Sequence, residues 1–326
     1  MYGHYWDRWL LWCQSHRIDP IRPSDVALAN FLAEILVRRK LSVSAMKGYR
    51  SAITSTIAQL GGSISDDSHN PFLLRDLVRG ASLKAARVPR RIPAWDLFLV
   101  LAALRRPPFE PLRDISLRHL TWKTAFLLTL ASGRRGSEVH AISGASPDIA
   151  FERSGALSLR FLPEFLAKNQ TPGSVSPVLI IPALTSILAR DDEDRMNCPV
   201  RAVSAYLERT KFLRKATHRR LFISLNPDHP SDISLSSLSR WLREVIKVAY
   251  SASEVALNPR VHEIRAWASS LAFAHSVPMN TILDAAFWKN EGTFIQFYLR
   301  DARRSRQDGS FGVGAAVVAQ SAVANL

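Results

Sequence analysis

The segment "SLRHLTWKTAFLLTLASG", Ser116 to Gly133, is apolar around most of a helical circumference. A helix without a solvent face has to be the central element of a domain, wrapped by others. Gly133 closes it, because glycine accepts the left-handed backbone on which helices commonly end. The wrapping elements are legible downstream: "RAVSAYLERTKFL", "LSSLSRWLREVIKVAY", "HEIRAWASSLAFAHSV" and "GTFIQFYLRDARR" all carry helical periodicity. Residues 148–182 hold the strand signals "ALSLRFL" and "PVLIIP", separated by the polar "AKNQTPGS", which predict a small antiparallel sheet.

Upstream the chain is helical again. Ser24 is placed to cap "SDVALANFLAEILVRRK", whose Leu28, Phe31, Leu32, Ile35 and Leu36 form one apolar face. "SVSAMKGYRSAITSTIAQLGG" repeats the pattern through Met46, Ile53, Ile57 and Leu60, stops at Gly61 and Gly62, and displays Lys47 and Arg50 one turn apart as a basic face. The Trp and Leu positions of "MYGHYWDRWLLWCQSHR" predict the stripe of a first helix, and Asn70 with Pro71 predicts the start of a short one. "RVPRRIP", with Arg90 and Arg91 between prolines, suits an exposed linker and sets a boundary near Pro89 to Pro93. The fold class is therefore mainly α with a small antiparallel β-sheet (α+β): a helical domain over 1–88, a second domain over 89–308, and a small-residue tail over 309–326 that suits either a flexible end or a docking strap. There is no internal repeat. A length of 326 residues commonly divides into two domains.

The chain carries 43 Lys and Arg against 28 Asp and Glu, a net charge of +15. Such an excess favours a polyanionic partner through counterion release, and nucleic acid leads. Cys13 and Cys198 lack the spacing of a zinc module or a disulfide framework, so a reducing compartment fits. No stretch approaches the about 18 uncharged apolar residues of a membrane span, and the N-terminus lacks an export signal.

Four places carry candidate chemistry. His262 and Arg265 of "HEIR" share a helical face and suit an anionic oxygen, phosphate above all, because Arg offers a rigid fork of donors and His can move a proton. The zinc motif H-E-x-x-H lacks its second histidine here, so no metal and no other cofactor is implied. Arg135 of "ASGRRGSEVHAI" follows the glycine that ends a buried helix, where a new helix can begin with its N–H groups exposed. Lys168 lies between the two predicted strands, and Trp288 precedes a helix bearing Tyr298. Each has a plain structural use as well: surface charge, solvated loop or core aromatic.

Their order resembles a known series. An Arg in "SGRRGSE", a Lys in a β-hairpin, H-x-x-R, then a His or Trp shortly before a Tyr is similar to the catalytic set of the tyrosine recombinases, the phage integrase family. "FLAEILVRRKLSVSAMKGYRSAIT", "WDLFLVLAAL", "WKTAFLLTLASGRRGSEVHAIS" and "FIQFYLRDAR" most resemble recombinases of DIRS-like retroelements, over nearly the whole chain. The resemblance implies a helical core-binding domain followed by a tyrosine recombinase catalytic domain. Residue by residue, it puts Arg135 at the first arginine, framed by Ser132, Gly133, Ser137 and Glu138, in preference to Arg134. It puts Lys168 at the hairpin lysine by position in the loop, His262 and Arg265 at the H-x-x-R pair, Trp288 at the His or Trp, and Tyr298 at the nucleophile. Two departures stand out: many members read L-G-H where this chain reads "AAFWKN", and Trp288 to Tyr298 is one residue longer than usual.

The same resemblance implies an activity: cleavage and rejoining of double-stranded DNA through a 3′-phosphotyrosyl intermediate, without metal or ATP, by a homo-oligomer that is tetrameric on DNA. It also implies integration of a mobile element, and a nuclear location if the source is eukaryotic, otherwise cytoplasmic. Lys47, Arg50, Arg90 and Arg91 are the candidate DNA-backbone contacts outside the catalytic set. The alternatives are a domesticated DNA-binding protein that keeps the fold without strand exchange, and a topoisomerase-like relaxation of supercoils.

Overall fold

A computed structural model of the chain describes residues 3–39, 41–84, 95–168, 170–171, 173–174, 176–184, 193–226, 231–253, 257–288 and 290–297. The chain is mainly helical with one three-stranded antiparallel sheet. It divides into two compact units, Met1–Arg90 and Arg91–Leu326. The expected linker with Arg90 and Arg91, the tail over 309–326 and Tyr298 lie outside the described residues. Among the described residues no helix is long and apolar enough to cross a membrane.

The first unit holds α1 (Gly3–His16), α2 (Asp25–Arg38), α3 (Val43–Gln59) and α4 (Leu73–Lys84). Ser24 and Ser42 start α2 and α3 by accepting the N–H groups of Ala27 and Ala45. The predicted faces then meet in one core, built on Trp9, Leu28, Phe31, Leu32, Met46 and Ile53. Three expectations need correction. Leu60 is exposed, because it caps α3 just before Gly61 turns the chain away at a φ of 70°. Leu10 and Leu11 also face outward, since the inward stripe of α1 runs from Trp9 to Cys13 and leaves them on the far side. Asn70 forms a turn, accepting the Phe72 N–H at 2.9 Å, and α4 begins only at Leu73.

Asp25 fastens the start of α2 to the segment after α3. Its carboxylate accepts the N–H groups of Val26, Asp67 and Ser68 at 2.8, 3.1 and 3.2 Å, together with the Ser68 hydroxyl.

The second unit is assembled around one helix. In order it contains α5 (Leu97–Leu104), α6 (Leu117–Ser132), α7 (Gly136–His140), β1 (Ile149–Phe151), β2 (Leu157–Leu159), β3 (Leu179–Ile181), a 3-10 turn (Glu193–Asn197), α8 (Pro199–Thr210), α9 (Leu235–Ala249), α10 (Val261–Ala274), α11 (Met279–Ala286) and α12 (Glu291–Phe297). As its sequence predicts, α6 is central: it packs on α7, α8, α9, α10 and β3. Ser116 caps it and Gly133 ends it at a φ of 60°. α6 itself carries a charge into this packing. Lys123 is fully buried, and its Nζ donates to the Leu104 carbonyl at 2.8 Å and to Glu110 Oε1 at 2.5 Å. Arg201 on α8 clamps the same carboxylate at 2.6 and 3.1 Å. Burial pulls the Lys123 ammonium down to about 8, with Glu110 opposing the shift. Burial would raise the Glu110 carboxyl, but hydrogen bonds from Arg201 and Lys123 outweigh it and hold it below the usual range.

The sheet has the order β1-β2-β3, with Leu157 opposite Phe151 and Ile181, and Leu159 opposite Ile149 and Leu179. The two predicted strands do pair, as β2 and β3, and β1 adds a third from the same region. Residues 160–178 join β2 to β3, so Lys168 sits in a long connection rather than at the tip of a tight hairpin.

The Asp25 contacts give the first unit an acid sensitivity. The Ser68 hydrogen bond is the main reason its carboxyl titrates below the usual carboxylate range, with backbone N–H groups adding to it and burial opposing. A carboxyl depressed in the folded state stabilises fully above its unfolded pKa, and that contribution is lost as pH falls through the folded value. Asp25→Asn should therefore lower the thermal midpoint of the full chain at neutral pH. Its deficit should shrink as the pH falls below about 4 and vanish once it lies below the depressed folded value. A pH-independent deficit would mean that the carboxylate charge is not what these contacts use.

Candidate active site

The left-handed Gly133 sends the chain from α6 into α7 with two arginines at the corner. Arg134 turns inward and is 5% exposed, whereas Arg135 precedes α7 and is half-buried. Both answer to one carboxylate. Glu138, buried in the first turn of α7, accepts the Arg135 N–H at 3.4 Å and its Nη1 at 3.0 Å, and lies 3.8 Å from Arg134 Nη1. Burial pulls Arg134 below the usual guanidinium range, and Glu138 opposes that shift. Two like charges side by side in low dielectric repel strongly, and the shared carboxylate is what makes the arrangement tolerable.

The second half is set by α10. Glu263 accepts the Arg260 N–H at 3.0 Å and the Trp95 indole N–H at 2.9 Å, which fixes the first turn of α10. His262 is exposed in that turn, and Arg265, 2% exposed, points inward. Arg265 Nη2 donates to the Ala286 carbonyl at 2.6 Å, and its guanidinium lies 4.3 Å from the centre of the Trp288 ring. That turn closes α11: Phe287 adopts a left-handed φ of 56°, and the Trp288 N–H returns to the Leu283 carbonyl at 2.8 Å.

The ends of α6 and α11 adjoin, since a Cβ on Gly133 would lie 3.9 Å from the Ala286 Cβ. The Arg134 guanidinium sits 4.9 Å from the centre of the Phe287 ring. The structure thus gathers Arg134, Arg265 and Trp288 at the single turn Ala286–Trp288, with Arg135 adjacent in sequence to Arg134 and tied to Glu138. A cleft of about 470 Å³ opens beside it, lined by Arg134, Ile180, Leu283, Asp284, Phe287 and Trp288.

The other candidates lie on different elements. Lys168 is exposed in the β2-to-β3 connection, within a turn in which the Ala167 N–H donates to Gln170 Oε1 and the Gln170 N–H to the Ala167 carbonyl, both at 2.8 Å. The far end of that connection, at Pro177 and Val178, forms one wall of the cleft. α12 leads up to Tyr298. On α3 of the first unit, Lys47 is exposed and Arg50 half-buried. Among the described residues no three His, Cys, Asp or Glu side chains gather as metal ligands. Sequence reasoning passed over Glu138 as a holder of Arg135, Glu263 as the anchor of α10, and Phe287. The acid at the third helical position after each N-cap was the available signal for the first two.

The backbone is similar to solved structures of DNA recombinases. The XerH site-specific recombinase bound to palindromic difH substrate, in a post-cleavage complex, matches with a TM-score of 0.56 at 13% identity, over 86% of this chain and 70% of that one. Its pre-cleavage complex on difH matches with a TM-score of 0.55 at 13% identity, over 88% and 70%. The Tn1549 transposon integrase in complex with transposon right end DNA gives 0.52 at 14% identity, over 92% and 85%. The chain has the fold of a tyrosine recombinase. At such identities the likeness is one of fold. No family model matches the sequence, and no curated protein does.

Phe287 takes a left-handed conformation that glycine accepts freely. The non-glycine residue bears roughly 1–2 kcal/mol of backbone strain there. Glu138→Gln should destabilise the second unit by about 3–5 kcal/mol in chemical denaturation, because it strips the counter-charge from a buried arginine. A change within about 0.5 kcal/mol, the range of a neutral surface substitution, would mean that the shared carboxylate does not govern this corner.

Proposed function

We propose that the protein is a site-specific DNA recombinase that serves integration of a mobile element of the DIRS-like kind. The observation that carries the reading is that the α6–α7 corner, which bears Arg134 and Arg135, and Arg265, from a distant stretch of sequence, meet at the turn that bears Trp288. The fold adds support, since its solved relatives include recombinases on their DNA substrates. The net charge of +15 suits duplex DNA, on which the protein acts as a tetramer.

In this reading Tyr298 Oη attacks the scissile phosphorus, the bond from phosphorus to the 5′ oxygen breaks, and a 3′-phosphotyrosine forms. The phenol proton goes to His262, and Lys168 supplies a proton to the departing 5′ oxygen. Arg135 and Arg265 grip the non-bridging oxygens and stabilise the charge that develops on them. Trp288 packs under Arg265 and holds its guanidinium in plane with the phosphate. Attack by the freed 5′ hydroxyl of another strand reverses the sequence and restores Tyr298, so no ATP enters. Because the bound oxygens are met by guanidinium groups, the same residues require no metal.

The test is covalent trapping on a randomised pool of nicked DNA duplexes in the presence of EDTA. The full chain should yield a denaturant-resistant protein–DNA adduct, and Tyr298→Phe should abolish it while binding DNA normally. Arg135→Ala and Arg265→Ala should each slow adduct formation by about 10²–10³, as loss of one oxyanion donor does. An adduct that persists in Tyr298→Phe would remove that residue from the mechanism. Normal DNA binding with no adduct from the unaltered chain would favour a binding protein instead. Replacing Lys47 and Arg50 together with Glu should weaken binding and flatten its salt dependence by about one unit of slope per lost phosphate contact. An unchanged affinity and slope would show that this face of α3 does not touch DNA.

A further inference from the structure

Arg134 has no role in the phosphoryl-transfer chemistry, yet it is the more deeply buried of the two adjacent arginines. A buried guanidinium is retained at a cost unless it does something for its surroundings. Its contacts are specific. Its Nη1 shares Glu138 with Arg135, and its guanidinium lies over the Phe287 ring, one residue before Trp288. Phe287 is a phenylalanine held in a glycine-like conformation, so something has to favour that state over an extended one. A buried cation against the face of the half-buried ring does so only when the ring is where the left-handed backbone puts it.

We infer that Arg134 is a positioning residue, which locks Phe287 into its left-handed turn and thereby couples the placement of Arg135 to that of Trp288 and Arg265. The coupling runs through a chain of direct contacts: Arg135 to Glu138, Glu138 to Arg134, Arg134 to Phe287, and the adjoining Trp288 ring to Arg265. Arg265 secures the same turn from the other side through the Ala286 carbonyl. The inference rests on the recombinase reading only for its effect on catalysis. The coupling itself belongs to the fold.

The experiment labels the full chain with 5-fluorotryptophan and follows the fluorine signal of Trp288, assigned by its absence in Trp288→Phe. Arg134→Leu should shift or broaden that signal while leaving those of Trp9 and Trp12, in the first unit, unmoved. Arg134→Lys, which keeps a cation near the ring, should restore part of the original signal. Phe287→Gly adopts the same backbone without a ring, so in that background Arg134→Leu should no longer disturb Trp288. The comparison is repeated with Arg134→Gln, which keeps a polar group in the buried position, so that a failure of Arg134→Leu to fold still leaves a decision. In the trapping assay, Arg134→Leu should slow adduct formation by about ten- to a hundredfold with DNA affinity unchanged, as a small misplacement of catalytic groups does. A Trp288 signal that ignores Arg134, or that responds equally with and without the Phe287 ring, would overturn the inference. If the unaltered chain forms no adduct, the recombinase reading fails, and the fluorine signals alone decide the positioning.

Discussion

The burial of α6 is the constraint on which the second unit depends. A helix with apolar residues on nearly every side has to be surrounded, and α8, α9, α10 and β3 do the surrounding. The same burial explains why the charge that α6 carries inward is fully partnered. Lys123 reaches a carboxylate on the segment after α5, and Arg201 on α8 reaches it too, so three parts of the chain are tied to one register. Apolar residues there could pack with equal strength but without that directional choice. The rigidity of α6 passes directly to the candidate site, because Gly133 ends the helix and the two arginines come immediately after it.

A second principle is the use of one turn as a shared floor. The residues that close α11 receive a hydrogen bond from Arg265, a ring contact from Arg134 and van der Waals proximity from the end of α6. None of these partners is near the turn in sequence. Placing two cations against one small surface is unfavourable by itself, and it is balanced on one side by Glu138 and on the other by a carbonyl and an indole face. In the proposed recombinase reading, Arg265 is thereby held in place before the phosphate arrives, which is the condition for electrostatic stabilisation without reorganisation.

How much of this was legible in the sequence depended on whether the signal was local. Helix starts at Ser24, Ser42 and Ser116 and the stop at Gly133 are written in the chain, because capping is decided within four residues. β2 was visible from the alternation in "ALSLRFL" and β3 from the β-branched run in "PVLIIP", whereas the short β1 owes its conformation to its pairing with β2. Leu11 and Leu60 depart from the expected stripe because apolar character does not state which side of a helix faces inward once the stripe is narrow or the helix is ending. The candidate residues could be named from their order. That Arg135 leans on Glu138, and that the ends of α6 and α11 meet, are tertiary facts with no counterpart in a linear pattern. Phe287 is the clearest case: nothing about a phenylalanine announces a left-handed backbone.

Both cysteines of the chain, Cys13 in the first unit and Cys198 in the second, are buried thiols, and burial pushes that of Cys13 up to about 12. A thiol reacts as its thiolate and only where a reagent can reach it, so neither competes with a solvent-facing one. The fold accordingly shields both thiols from maleimide and iodoacetamide. A cysteine introduced at an exposed position of α3 and another on the exposed edge of α9 would be the only addressable sites. A spin label or dye pair attached there would report the separation of the two units in solution, free and on DNA, without first rebuilding the native chain.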